Sequence, residues 1–324
     1  MNVVVTGGAG YIGGTVATLL VQQGHRVTVV DNFCHSRREA LPQGVELVEA
    51  NVGDRGAVEP LLRELAPDGV LHFAALIEAG ESMQKPEIYF RNNTANTLSL
   101  LESMLAANVR NIVFSSTAAV YGEPERVPIS EDAKLAPTNA YGESKLLSEQ
   151  MLRWFQRIHG FRTGVLRYFN VAGALPGRGE EHEPESHLIP LILDVALGKR
   201  KSIFIYGEDY DTPDGTCIRD YIHVADLAAA HILALQHLLA GKSALVNLGN
   251  GQGFSVREVI ESARRVTGHA IPVEVKPRRA GDPARLVASS QRAMDELGWR
   301  PQHPQLDDIL ASAWQWHQHR YGGQ

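Results

Sequence analysis

The chain has 324 residues, 44% of them hydrophobic and 21% charged, with a formal net charge of -6. That is enough for one large or two modest domains around a substantial core, and a mildly acidic balance lacks the basic footprint of a nucleic-acid or anionic-membrane partner. No apolar run approaches the ~18 residues of a membrane span, and two cysteines, Cys34 and Cys217, supply neither a disulfide framework nor the Cys/His spacing of a metal site.

The opening "MNVVVTGG" enters a strand without a basic and apolar leader, so a reduced cytoplasmic compartment is expected. Short β-branched runs then alternate with helical segments. "NVVVTG", "RVTVVDN", "VELVEANV", "GVLHFAA", "NIVFSS" and "TGVLRYFN" predict strands. "YIGGTVATLLVQQG", "AVEPLLREL", "EIYFRNNTANTLSLLESMLAAN" and "YGESKLLSEQMLRWFQRIHG" predict helices. Strict alternation implies a parallel sheet covered on both faces, the doubly wound α/β (Rossmann) class. "NVAGALPGRGEEHEPESH", rich in Gly, Pro and Glu, breaks the alternation and opens a second region. "RDYIHVADLAAAHILALQHLL" predicts a helix and "SALVNLGN" a strand that returns to the first sheet. The expected division is a dinucleotide-binding domain over 1–170, rejoined at about 220–250, and a smaller mixed α/β substrate region over 171–324. With no flexible linker between them, the two regions should close on a cleft.

Chemistry enters at three places along the first half. "TGGAGYIGG" follows the first strand and opens the first helix, with Gly7, Gly10 and Gly13 in a G-x-x-G-x-x-G spacing. Glycines permit the tight turn and close backbone approach to a pyrophosphate, and the helix N-terminus offers N–H donors to it. Asp31, at the end of the second strand, suits ribose hydroxyls and repels a 2′-phosphate, which favours NAD over NADP; Arg37 and Arg38 lie several residues further on. The fifth strand ends in Ser115, Ser116 and Thr117, hydroxyls at the carboxyl edge where such sheets bind ligands. In "YGESK", Tyr141 and Lys145 are one turn apart, about 40° around a helix axis. They share a face distinct from the apolar stripe Leu147, Met151, Trp154 and Ile158, which is expected to meet the core. Alone, Y-x-x-x-K describes many solvated helices; with the glycine turn and the strand-end hydroxyls it becomes a site.

Read together, "VTGGAGYIG", "DNFCHS", "HFAALIEAGESMQKP", "FSSTAAVYG", "YGESK", "LRYFNVAGA", "SHLIPLIL", "IYGEDYDTPDGTCIRDYIHVADLA" and "RRAGDPARLVAS" resemble the extended short-chain dehydrogenase/reductases. Within them the chain is most similar to the branch that interconverts UDP-glucose and UDP-galactose at C4. The resemblance implies that Tyr141 is the base for the sugar's 4-hydroxyl, that Lys145 holds the nicotinamide ribose and favours the phenolate, and that Thr117 bridges sugar and Tyr141. It implies a transient 4-keto sugar and NAD held as a prosthetic group. For NAD it implies Tyr11, Ile12, Asn32, Phe33, Cys34, His35, Ser36, Asn51, Val52, Phe73, Ala74, Ala75, Asn92, Ser115 and Phe169 beside the glycines and Asp31. For the UDP-sugar it implies Asn170, His187, Leu188, Phe204, Tyr206, Arg219, Tyr221, Arg279, Asp282 and Leu286. A homodimer is likewise a family expectation, and no metal is implied.

Departures from the family pattern are local. Ile77 stands where some relatives carry a Lys near the cofactor, "EANV" ending at Val52 replaces a Gly-Asp pair, and "GGT" at Gly13–Thr15 replaces Gly-Ser-His. The nearest rival reading is a nucleotide-sugar dehydratase, which needs an Asp-Glu pair after the Ser-Thr; Ala118 and Ala119 occupy those positions and cannot shuttle protons. A decarboxylase would need a Glu in the same stretch. A non-catalytic NAD sensor would not need the hydroxyl, Tyr and Lys together, and a dehydrogenase with exchangeable cofactor would not need the UDP-binding arginines. Leu286 falls where side-chain bulk sets access for a 2-N-acetyl group, so another UDP-sugar, an N-acetylhexosamine or a pentose, stays open as the main substrate.

Overall fold

The structure, a computed structural model, describes residues 1–182, 185–279 and 282–322. The chain begins β1 (Asn2–Thr6), α1 (Tyr11–Gln22), β2 (Arg26–Asp31), β3 (Glu46–Glu49), α2 (Arg55–Leu65) and β4 (Gly69–His72). It continues through the short helices α3 (Ala79–Ser82) and α4 (Pro86–Tyr89) to α5 (Asn96–Ala106), β5 (Asn111–Thr117), α6 (Ala140–His159) and β6 (Arg162–Tyr168). The second half carries β7 (Asn170–Ala172), α7 (Leu188–Ala196), β8 (Ile203–Tyr206), β9 (Ile218–His223), α8 (Val224–Leu239) and β10 (Ala244–Leu248). It ends with β11 (Gly253–Ser255), α9 (Val256–Thr267), β12 (Val273–Lys276), β13 (Arg285–Leu286), α10 (Gln291–Leu297) and α11 (Leu306–Tyr321).

β1 to β6 and β10 form one seven-stranded parallel sheet in the order β10-β6-β5-β4-β1-β2-β3. The order reverses between β1 and β4, which opens a crevice at the carboxyl ends of those strands. Both faces are buried, as near-continuous β-branched runs require. Val3 and Val5 of β1 pack with Val16, Leu20, Leu227 and Leu235 on one side. Val4 packs with Val30, Leu62, Leu100 and Leu152 on the other. A second, small sheet is centred on β9, with β7 and β13 parallel to it and β11 antiparallel; β8 and β12 make a separate parallel pair. α7, α9 and α11 cover this half around a core that includes Ile192, Ile205, Ile260 and Trp314.

Three sequence expectations change. "RDYIH" is strand β9 rather than helix: it pairs with β7, β11 and β13, and α8 starts only after His223, whose ring accepts from the Ala225 amide. The helix expected through 87–108 is interrupted by a π-helical turn, Phe90–Ala95, that carries Asn92 and Asn93. The apolar stripe of α6 is only partly engaged, with Met151 packed against the core and the C-terminal half of the stripe in the open. Trp154 and Ile158 are 59% and 63% exposed, whereas Gly142, Ser144, Lys145, Ser148, Glu149 and Leu152 are buried. Among the described residues no helix is long and apolar enough to cross a membrane.

Candidate active site

Between β1 and α1 the chain must turn within four residues. Gly7 has φ +70°, and a Cβ there would lie 2.6 Å from the Ala74 nitrogen at the end of β4, so only glycine fits. No side chain caps α1, whose Gly10 N-cap and first residues Tyr11, Ile12 and Gly13 face the crevice. Asp31 ends β2 almost fully buried. It accepts from the Ala9 amide (3.0 Å), the Phe33 amide (2.9 Å) and Ser36 Oγ (2.9 Å), which folds the following turn around the carboxylate.

α6 is placed by its N-terminus. Asn139 caps it by accepting from the Gly142 amide (2.8 Å). A Cβ at Gly142 would lie 2.7 Å from the Ala119 carbonyl, so the helix docks with backbone against the turn that follows β5. This close approach brings the strand-end hydroxyls to the helix. Thr117 stands beside the Tyr141 phenol, and Lys145 Nζ donates to the Ser115 carbonyl at 2.9 Å while sitting 4.9 Å from the Phe114 ring centroid. Burial pushes the Tyr141 phenol up to about 12, with Thr117 pulling the other way. Burial brings the Lys145 ammonium down to about 7, opposed by the Glu149 carboxylate one turn on. Tyr168, at the end of β6, hydrogen-bonds Ser115 Oγ beside them.

These groups open into a cavity of about 1570 Å³. Gly7, Gly10, Tyr11, Ile12, Gly13, Asp31, Asn32, Cys34, His35, Ser36, Asn51, Val52, Phe73, Ala74, Ala75, Asn92, Ser115 and Phe169 all line it, as do Thr117, Tyr141, Lys145, Asn170, His187 and Ile77. Phe33 does not; its φ of +54° turns it out, under the Arg38 guanidinium.

Leu188, Phe204, Tyr206, Arg219, Tyr221, Arg279, Asp282 and Leu286 are not part of the cavity lining. Most of them gather around β8, β9 and β13 instead. Arg219 forms an ion pair with Asp282, Arg279 lies 3.9 Å from the Tyr206 ring centroid, and Phe204 meets Tyr206 edge-on. Tyr221 and Leu188 pack in the core of the second half. Leu286, paired with Arg219 across β13 and β9, packs on a small cluster that contains Phe169 and Leu146 and so adjoins the cavity wall.

Sequence reasoning passed over one whole wall. Residues 176–182 cross the mouth of the cavity: Arg178 donates to the Ala40 carbonyl, Glu181 pairs with Arg320 of α11 (2.9 Å), and His182 pairs with Glu78 (3.2 Å). Tyr11 donates to the Gly173 carbonyl at 2.6 Å at the base of this strap. The sequence signal was the Gly, Pro and Glu-rich composition, which marks a loop and says nothing of where it lands.

A doubly wound sheet with a glycine turn, a strand-end acid and a hydroxyl–Tyr–Lys constellation over the crevice defines the class of NAD(P)-dependent short-chain oxidoreductases and their non-redox relatives. Residues 3–249 match the NAD dependent epimerase/dehydratase family, and the chain belongs to that family. It is 52% identical to a UDP-glucose 4-epimerase of Corynebacterium glutamicum over 314 residues, 97% of this chain and 95% of the relative. A crystal structure of UDP-glucose 4-epimerase from Brucella ovis in complex with NAD superposes with a TM-score of 0.94 at 44% identity, covering 97% of both chains. One from Bifidobacterium longum in complex with NAD+ and UDP gives 0.93 at 40% identity, covering 100% of both.

Proposed function

We propose that this protein interconverts UDP-glucose and UDP-galactose by inverting C4, with NAD as a tightly held cofactor. The observation that carries the reading is the meeting of Thr117, Tyr141 and Lys145 in one cavity with the Gly7 turn and Asp31, while Ala118 and Ala119 stand where a dehydratase needs acids. The cavity fits the dinucleotide: its floor is glycine backbone against which a Cβ would collide, the helix end above it is uncapped, and a buried carboxylate waits at the ribose end. When bound, NAD supplies the hydride acceptor and, oxidised, a positive ring.

The chain's own residues handle the proton. Tyr141 Oη takes it from the 4-hydroxyl and returns it after the sugar has turned over, leaving a ketone at C4 in between. Thr117, beside the phenol, lowers its proton affinity and is placed to hold it in line with the sugar hydroxyl. Lys145 anchors the nicotinamide ribose and stabilises phenolate charge from one helical turn away. Asn170 and His187 meet the sugar nucleotide from the cavity side, and the Arg219–Asp282 and Arg279–Tyr206 groups take the uridine diphosphate, arginine being suited to two phosphates.

Several further points belong to the same reading. Residues 1–170, with about 220–250, form the cofactor domain, and 171–324 the UDP-sugar region; α8 packed on the main sheet and β10 beside β6 support the return, with β9 standing in the small sheet beside β7. The exposed apolar side chains of α6 support a homodimer. A reducing, cytoplasmic setting agrees with Cys34 and Cys217 as free thiols. The test is to incubate purified protein with UDP-galactose and separate the products: UDP-glucose is expected, and a 4-keto-6-deoxy product or unchanged substrate overturns the reading.

A further inference from the structure

Three consecutive residues at the carboxyl end of β5 each meet α6. Thr117 stands beside the Tyr141 phenol, the Ser115 carbonyl accepts from Lys145 (2.9 Å), and Ser116 Oγ donates to Glu149 Oε1 (2.5 Å). Positions 141, 145 and 149 step up one helix stripe, a turn at a time. The first two carry the proposed chemistry. The third touches neither substrate nor cofactor in that scheme.

Glu149 is nevertheless heavily invested. It is 3% exposed, and both its oxygens bind Arg167, from Nε at 2.9 Å and Nη2 at 2.5 Å. Arg167 is 1% exposed and also donates to the Tyr121 hydroxyl (2.9 Å) and the Glu131 carbonyl (3.3 Å). Tyr121 donates on to Asn247 Oδ1 at 2.7 Å, so the chain of bonds reaches β10. An apolar pair of similar volume would hold α6 on the sheet at least as well, because desolvating two charges offsets most of their attraction. What an apolar pair could not provide is a carboxylate one turn from Lys145.

We propose, on the basis of the C4-epimerase reading, that Glu149 is a positioning residue. Locked by Ser116 and Arg167, it fixes the height of α6 against β5 and keeps the buried Lys145 side chain an ammonium one turn from Tyr141. The other groups around Lys145 do not do this. His72 of β4 is buried, pushed down to about 3 and neutral; Phe114 of β5 offers a ring face; Tyr168 of β6 is a phenol raised by burial. Arg167 of β6 is a cation, and Tyr141 on the same helix is a phenol pushed up to about 12. Burial drives the Lys145 ammonium down, and Glu149 opposes it, so removing the carboxylate lowers the lysine further and loses its charge at lower pH.

The experiment is a side-chain NMR titration of 13C-lysine-labelled full-length protein, with and without added NAD, in which the Lys145 resonance is the one absent from Lys145→Met. Glu149→Gln is expected to move its midpoint down by about one pH unit. The alkaline limb of kcat for UDP-galactose should move with it, while KM changes less than about threefold. If circular dichroism shows that Glu149→Gln does not fold, Glu149→Gln/Arg167→Met takes its place, since it also removes the guanidinium that Glu149→Gln would leave buried without its carboxylate. Ser116→Ala keeps both charges and cuts only the tie to β5; it should lower kcat about tenfold or more with the lysine midpoint in place. An unmoved midpoint and limb in the folded charge variant, or wild-type kcat in Ser116→Ala, overturns the proposal. The NMR midpoint needs no turnover, so a wild type that fails to epimerise UDP-galactose counts against the function and leaves this inference separately decided.

Discussion

Tyr141 and Lys145 enter the cavity with their proton affinities moved apart: the phenol up to about 12 and the ammonium down to about 7, both by burial. A base working near neutrality must therefore draw on charge brought by its ligands and on Thr117. Tyr141→Phe removes the acceptor while keeping the ring, and should lower turnover of UDP-galactose by about 10²–10⁴-fold with an unchanged circular dichroism spectrum. Retention of more than about a tenth of the rate would assign the base elsewhere. Leu286 bears on breadth of substrate, since it packs beside Phe169 of the cavity wall. Leu286→Tyr should suppress UDP-N-acetylgalactosamine relative to UDP-galactose and Leu286→Ser should favour it, each by roughly 10–200-fold in kcat/KM; equal ratios in all three proteins would remove Leu286 as the gate. At this scale the sequence was informative where spacing along one helix or turn brings groups together, as in Gly7–Gly13 and Tyr141–Lys145. It was silent where the partner comes from far along the chain, as with Tyr168 on Ser115 or Glu149 on Arg167.

The strands of the main sheet were legible because a strand buried on both faces reads as an unbroken β-branched run. α6 was legible as a helix but not in orientation. Its periodicity marks Leu147, Met151, Trp154 and Ile158, yet the face pressed on β5 is the one rich in Gly, Ser, Lys and Glu, because close approach and buried hydrogen bonds selected small and polar residues there. The strap over the cavity has no regular periodicity to read, and its placement rests on side-chain pairs such as His182–Glu78. The Glu78 carboxylate, 3.2 Å away, raises the His182 imidazole against the pull of burial, and His182 in turn lowers Glu78. The histidine's contribution is complete below its unfolded value of about 6.5 and fades as pH rises through the raised folded value; the glutamate's fades as pH falls through its depressed one. His187, held up to about 9 beside Glu185 and Glu180, and the His35 ring stacked on His182 share this cluster. Glu78→Gln should therefore lower Tm by about 2 °C at pH 6 and by much less at pH 10, measured by thermal melts. An equal penalty at both pH values would mean that Glu78 acts without the histidine.

For the whole molecule, the open half of the α6 stripe becomes the most informative surface. Trp154 is 59% exposed, Ile158 is 63% exposed, and Leu98, on the neighbouring α5, is 38% exposed. Scattered apolar side chains are ordinary on a surface, but a Trp and an Ile one turn apart, on a helix whose other face is fully engaged, form a patch that water does not favour. Trp is also the residue type most often responsible for interface affinity, commonly at least 2 kcal/mol for one side chain. The occupant we expect is a second copy of the chain, α5 and α6 of one protomer meeting the same helices of the other about a two-fold axis. Trp154→Glu/Ile158→Glu places two carboxylates on that patch and, across a two-fold axis, near their own copies. Association should weaken by about 4 kcal/mol or more, roughly 10³-fold, so analytical ultracentrifugation at micromolar concentration should show a dimer for the wild type and a monomer for the variant. The cavity lies on the other side of α6, where Tyr141 and Lys145 face β5, so the isolated protomer should still bind NAD. A wild type that sediments as a monomer, or a variant that stays dimeric, would show that this stripe is not what joins the subunits.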